Sequence, residues 1–368
     1  MKKLIVLSVV FALVASTAFA VDLGANVFGL VIPAKGGSGS AWDGSANGGA
    51  GGMVDLPSEV ASDLGFKRVR LSGYGEAGDG AFGGQLRFEV DGMSYKDAFA
   101  FWKPIDQLKV VIGNNSDGWY GKEGVTGWGF NGNPYDGGVA FGGDKIWGAD
   151  YNPWATGTRS AFFGGYGGEA LHLNITPVDM VAINIAIPFG GQAEVADAFK
   201  STFAQVDVNL DFGNIALSFQ AGDDSDIFLY YGGSFGDLGL DVGFHYSTAD
   251  DAPIGVGAGL KYATDAFGVK FRVVANLGVG DSKWTGLVAD VLPYFSLGDN
   301  IVAFVNLGIG MKSVDGDDDA IFDWNFNPYI RIGEEWGAQF LIGVDVHSWG
   351  GKDGSTTWSI PIAIMVMF

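Results

Sequence analysis

The first residues to weigh for chemistry are the three histidines, His172, His245 and His347. A serine or cysteine hydrolase sets its nucleophile within hydrogen-bond reach of a histidine that a carboxylate orients. No nucleophile elbow and no Ser-x-His spacing accompanies any of the three, and the chain has no Cys. They read as polar residues facing water or an interface. The acidic run Asp315 to Asp319 offers oxygen ligands, but it lacks the twelve-residue loop and closing Glu of an EF-hand. It reads as a solvated loop. Gly48 to Gly52 resembles part of a phosphate loop, yet no Gly-Lys-Ser/Thr follows. The expectation is no covalent chemistry, no cofactor and no metal, so the protein is not expected to be an enzyme.

What remains is electrostatic. Charged and amide side chains recur at every second position: Arg68 and Arg70; Gln85, Arg87 and Glu89; Asp207 and Asn209; Lys270 and Arg272; Asn325, Asn327 and Arg331. Such spacing puts each set on one face of a β-strand, because successive side chains point to opposite faces.

The other parity is apolar. In the last segment Trp358, Ile360, Ile362, Ile364, Val366 and Phe368 share one face; in the one before, Trp336, Ala338, Phe340, Ile342, Val344 and Val346 do. Val206, Val208 and Leu210 oppose Asp207, Asn209 and Asp211. The same alternation places strands at 22–32, 66–77, 82–91, 96–103, 106–113, 168–175, 180–187, 200–211, 214–221, 226–236, 238–247, 254–263, 267–278, 284–295, 300–311 and 324–332. With the last two segments these make eighteen strands, and sixteen to twenty stay open because 114–165 could hide or lack a hairpin. Many runs are about ten residues, the length a tilted strand needs to cross a bilayer.

Composition supports a membrane wall. Charged residues are 17% of the chain against about 25% in soluble proteins, while Gly is 61 of 368. The polar-out face of a soluble β-sandwich would need more of them. No internal stretch reaches the ~18 apolar residues of a membrane-spanning helix. Lys+Arg is 21 against 42 Asp+Glu, so a nucleic-acid partner is excluded for want of basic surface.

Residues 1–20 carry Lys2 and Lys3, an apolar core from Leu4 to Ala15, and Ala18-Phe19-Ala20, the pattern of a cleaved secretory signal. Its loss leaves 19 basic and 42 acidic residues, formally −23, on a single domain at 21–368. Tight links such as Asp211-Phe212-Gly213-Asn214 alternate with longer acidic loops such as Ala249-Asp250-Asp251. Short turns at one end and long loops at the other mark an outer-membrane barrel.

Signal, ten-residue strands, turn asymmetry and the alternating C-terminus Ile360 to Phe368 together resemble the bacterial outer-membrane porins. The resemblance implies an antiparallel transmembrane β-barrel in outer-membrane lipid, assembled as a homotrimer, with Phe368 as a signal read by the barrel-assembly machinery. It implies a water-filled channel for passive diffusion of ions and small hydrophilic solutes. It also implies a basic ladder on one wall facing acids on a long inward loop. Arg68, Arg70, Arg87 and Lys109 fit the ladder, and the segment at about 114–165, with Asp117, Glu123 and Asp136, fits the loop. Glu89, Asp207, Lys270, Arg272 and Arg331 complete the expected pore lining. Two other readings are a sugar-type channel with an aromatic track, and an adhesin or structural barrel acting through its outer loops.

Overall fold

A computed structural model describes residues 20–38, 65–89, 94–119, 166–189, 195–222, 224–249, 254–277, 284–314, 321–334, 337–349 and 355–367. All of the expected signal (1–20) except Ala20, most of the long segment with Glu123 and Asp136, the acidic run at 315–319, and Phe368 lie outside these residues.

The described residues form antiparallel strands β1 (Ala20–Ser38), β2 (Gly65–Ala77), β3 (Phe82–Glu89), β4 (Ser94–Ile105), β5 (Leu108–Trp119), β6 (Tyr166–Val178), β7 (Val181–Pro188), β8 (Phe203–Leu210), β9 (Gly213–Gln220) and β10 (Asp226–Phe235). There follow β11 (Leu238–Ser247), β12 (Ile254–Ala263), β13 (Phe267–Leu277), β14 (Trp284–Gly298), β15 (Ile301–Val314), β16 (Ile321–Gly333), β17 (Ala338–Gly343), β18 (Asp345–Trp349) and β19 (Ser355–Met367). Each pairs with its chain neighbours, except that β17 and β18 both pair with β16 and β19, and β1 pairs with both β2 and β19, so the ladder returns on itself. Among the described strands none is left as an edge, and in lipid an unpaired edge would be costly.

Segments β17 and β18 are two halves of one strand. Both lie between β16 and β19, and the register runs on unshifted from Tyr329↔Gly343 to Phe326↔Val346. The gap is Val344, whose N–H donates to the Pro328 carbonyl at 2.9 Å. Proline has no N–H to return the bond, so the ladder lapses there. Counted this way, the nineteen segments make eighteen strands round the ring, the expected number.

Burial shows which face is which. On β9, Ala216 and Ser218 are buried, while Ile215, Leu217 and Phe219 are 36%, 50% and 44% exposed. On β8, Gln205 and Asp207 are buried and Val206 is exposed. Apolar groups outside and polar groups inside invert the soluble pattern and match a wall in lipid. Closing eighteen strands leaves an interior that their own side chains do not fill.

The connections alternate as expected. Two-residue links Asp106-Gln107, Asp179-Met180, Asp211-Phe212, Gly236-Asp237 and Asp299-Asn300 share one rim with the start of β1 and the end of β19. Asp79, in the β2–β3 turn, has φ +54°, a conformation that Asp tolerates better than most residues.

Three expectations need correction. The long segment does not leave the sheet at Asn114, because β5 continues to Trp119, which pairs with Tyr166 across an irregularity after Asn115. Asp117 is therefore a strand residue rather than a loop residue. The strand expected from 200 starts at Phe203, since helix α1 (Val195–Lys200) precedes it, with Asp197 in its first turn and Lys200 in its last. Six residues are too few for a periodicity argument to register. Asp211, read as inward on its strand, lies in the β8–β9 turn.

Candidate functional site: the inner wall

Four sectors of the inner face, from β2 to β16, carry the contacts that matter. In the first, β2 to β5, Ser72 lies opposite Arg87 and Arg70 opposite Glu89. Arg68 is in register with Phe28 of β1. The Arg87 guanidinium is 3.0 Å from the carboxylate of Asp97 on β4, which is 1% exposed and also accepts from Gln85 Nε2 at 3.1 Å. Nearer the short-turn rim, Lys109 Nζ lies 4.1 Å from the centre of the Phe101 ring, and Lys103 Nζ lies 5.4 Å from it. Phe101 stacks on Tyr74, whose hydroxyl donates to Glu76.

The second sector, β6 to β9, is a closed polar network. Asn174 donates to Asn184; Asn184 Nδ2 donates to Asp207 Oδ2 at 2.9 Å, and Gln205 Nε2 donates to the same oxygen at 2.8 Å. Beside it Tyr166, Ala170, Ala186 and Phe203 form a buried apolar cluster, and His172 meets the edge of Tyr166. Asp207 therefore faces inward but is buried among amide donors.

In the third sector, β10 to β13, Tyr230 Oη donates to Asp241 Oδ1 at 2.6 Å. His245 Nε2 lies 3.0 Å from Asp226 Oδ1 while its ring stacks on Phe228. On β12 the inner positions are Gly255, Gly257, Gly259 and then Lys261. Lys261 stands opposite Lys270, and Gly259 opposite the buried Arg272.

The fourth sector carries an aromatic row. Tyr294, Phe304 and Tyr329 stand side by side on β14, β15 and β16, with Phe304 and Tyr329 stacked at 4.6 Å and 4°. Arg331 Cζ lies 5.4 Å from the Phe304 centroid. Above the row, Asn306 and Asn327 pair in register, both buried.

Among the described residues no group of three His, Cys, Asp or Glu side chains could hold a metal ion. The arrangement is one of charges, dipoles and rings along a wall, and what it can act on is the passage and orientation of a solute.

Solved structures give the fold an external reference. OpdQ of Pseudomonas aeruginosa superposes with a TM-score of 0.55 at 8% identity, over 95% of this chain and 99% of that one. OpdO of the same organism gives 0.53 at 10%, over 95% and 97%, and OccK11 (OpdR) gives 0.51 at 9%, over 95% and 96%. These neighbours are outer-membrane β-barrels. The fold is an outer-membrane β-barrel. No family model matches the sequence, and no curated protein is significantly similar to it.

Of the residues expected to line the pore, this barrel puts Arg87, Lys109, Asp207, Lys270, Arg272 and Arg331 on the inner parity. Arg68, Arg70, Glu89 and Asp117 are placed by backbone register on β2, β3 and β5. Alternation alone also marked Gln85 and Asn327. It overlooked Asp97, Gln205, Ser218, Asp226 and Lys261, which share inner parity with residues that were noticed. Alternation sets Tyr329 on the face of Asn325, Asn327 and Arg331, but the inner aromatics Phe101, Tyr230 and Phe304 are missed because apolar side chains are assigned to lipid by default. Their alternation with polar residues on the same face was the available signal.

Proposed function

We propose that the protein is an outer-membrane porin: a water-filled channel for passive diffusion of ions and small hydrophilic solutes. The observation that carries this reading is the inverted eighteen-strand ring, apolar outside and polar inside, with paired strands all the way round. Such a wall has room inside and no edge to defend. Selectivity comes from the charges on the inner face, and the formal net charge of −23 left after loss of residues 1–20 favours cations. In this reading the protein is not an enzyme. Residues 1–20 export the chain, the C-terminal strand ending in Phe368 addresses the assembly machinery, and the resemblance extends the proposal to a homotrimer.

A second, narrower reading has specific support. Inner-face residues Gln205, Ser218, Asp241 and Asn306 are at most 1% exposed, so much of the wall is covered rather than open to bulk water. That favours a constricted, solute-selective channel over a wide one.

Planar-bilayer recording under a salt gradient tests both. Discrete conductance steps with a cation-favouring reversal potential support the porin. Block by one class of solute supports the selective form. Folded protein that inserts without conducting overturns both and leaves an adhesin or structural barrel.

A further inference from the structure

We propose that a line of missing cross-strand hydrogen bonds, running from β14 through β19 into β1, is a hinge in the wall that gates the channel. Proline has no N–H to give a ladder, and inside a sheet it stands where pairing lapses or ends. Pro104, Pro177 and Pro188 stand at the last or next-to-last position of their strands. Pro293, Pro328 and Pro361 stand well inside theirs, as does Pro33 in β1.

Register sets these four prolines at one level. Between β14 and β15 pairing stops after Val291↔Leu307 and resumes at Tyr294↔Phe304, leaving Pro293 across from Val305. Val305 pairs in turn with Pro328 on β16. Between β16 and the β17–β18 strand the gap falls at Pro328 and Val344. Between that strand and β19 it falls at Pro361, bounded by Ile342↔Ile362 and Asp345↔Ser359. Between β19 and β1 the register slips at the same place, with Ile32 and Pro33 set against Pro361. Each gap holds a proline, and in this sector only the β15–β16 ladder runs through.

The inner face changes character across the line. On the short-turn side the rings of Tyr294, Phe304 and Tyr329 tie three strands together. On the long-loop side, one inner position on, Leu292, Asn306 and Asn327 are almost wholly buried. Neither amide atom of Asn306 hydrogen-bonds to a protein group. A buried amide without a protein partner calls for an explanation, and a second position of the wall supplies one. Tilting the long-loop half about the proline line, with the aromatic stack held still, moves Asn306 and Asn327 and changes the bore at their level. Missing ladder bonds make that tilt cheap, because local opening costs least where backbone hydrogen bonds are fewest. In the unbroken ladders of β7 to β9 the same tilt would break bonds on every strand. The hinge is a property of the wall, and its role as a gate rests on the channel reading above.

The test is hydrogen–deuterium exchange on the full-length folded protein in detergent, paired with single-channel recording. Backbone amides at 302–307 and 341–347 are expected to exchange about tenfold or more faster than those at 204–208 on β8. P328V and P293V/P328V supply the missing N–H donors at positions that share outer parity with Ile330 and Phe295. In both, exchange at 341–347 is expected to slow towards the β8 value and spontaneous closures to become rarer. P188V, at the end of β7, is expected to do neither. Each variant is checked for heat-modifiable gel mobility, and P328V alone carries the comparison if the double variant does not fold. Wild-type exchange at the line as slow as on β8, exchange unaltered by P328V, or closures unaltered where exchange has slowed overturns the proposal. A barrel that shows the exchange pattern but never conducts defeats the porin reading while upholding the hinge.

Discussion

The guanidinium of Arg87 lies 3.0 Å from the carboxylate of Asp97, on the neighbouring strand and almost wholly buried. An arginine that alternation marks as a bare rung of a basic ladder is thus partly neutralised by its own wall. Asp97 is also held by Gln85, so its place is fixed from two sides. Breaking a buried charge-assisted contact leaves the surviving charge poorly solvated.

Asp97→Asn follows from this directly. It keeps the shape and removes the counter-charge, so unfolding in urea should require about 1.5–3 kcal/mol less free energy. In bilayers, the reversal potential should move towards anions, because the inner wall loses one negative charge. A variant with unchanged stability and selectivity would show that the pair matters to neither.

Neutralising Arg68, Arg70 and Arg87 together should shift the reversal potential further towards cations, because three positive charges leave one sector of the wall. The shift should shrink in high salt, where the Debye length falls to about 3 Å at 1 M. An unaltered potential would remove these strands from the ion path.

Gly268 lies beneath the Tyr294 ring, so a Cβ added there would collide with the ring. Gly268→Ala should therefore destabilise the barrel by about 1–3 kcal/mol, the usual cost of overpacking. Tyr294→Ala in the same chain should recover most of that loss. A double variant no better than the single would show that the strain lies in the backbone.

Leu217 is on the outer face of β9, half exposed in the isolated chain and facing lipid in a membrane. Leu217→Arg should cost about 2–4 kcal/mol if the residue is near the bilayer midplane. Measured folding into vesicles reads this. A negligible cost would place Leu217 outside the hydrocarbon layer.

Alternation alone determined a good deal about this protein. Period 2 is a local property, carried by residues such as Val206, Asp207 and Val208, and it sets strand positions and the two faces without knowledge of any partner strand. Turn residues such as Asp211 and Asp299 close hairpins by their own backbone preferences, so the number and direction of strands were legible too. Cross-strand neighbours are not a local property. Only ring closure and register brought Arg87 to Asp97, Asn184 to Asp207, and Lys261 to Lys270, residues 10, 23 and 9 positions apart. Tertiary structure also decided that Phe304 turns inward, where it stacks on Tyr329. The sequence marks a side chain as apolar, but which medium meets it depends on the parity of its strand within the closed wall.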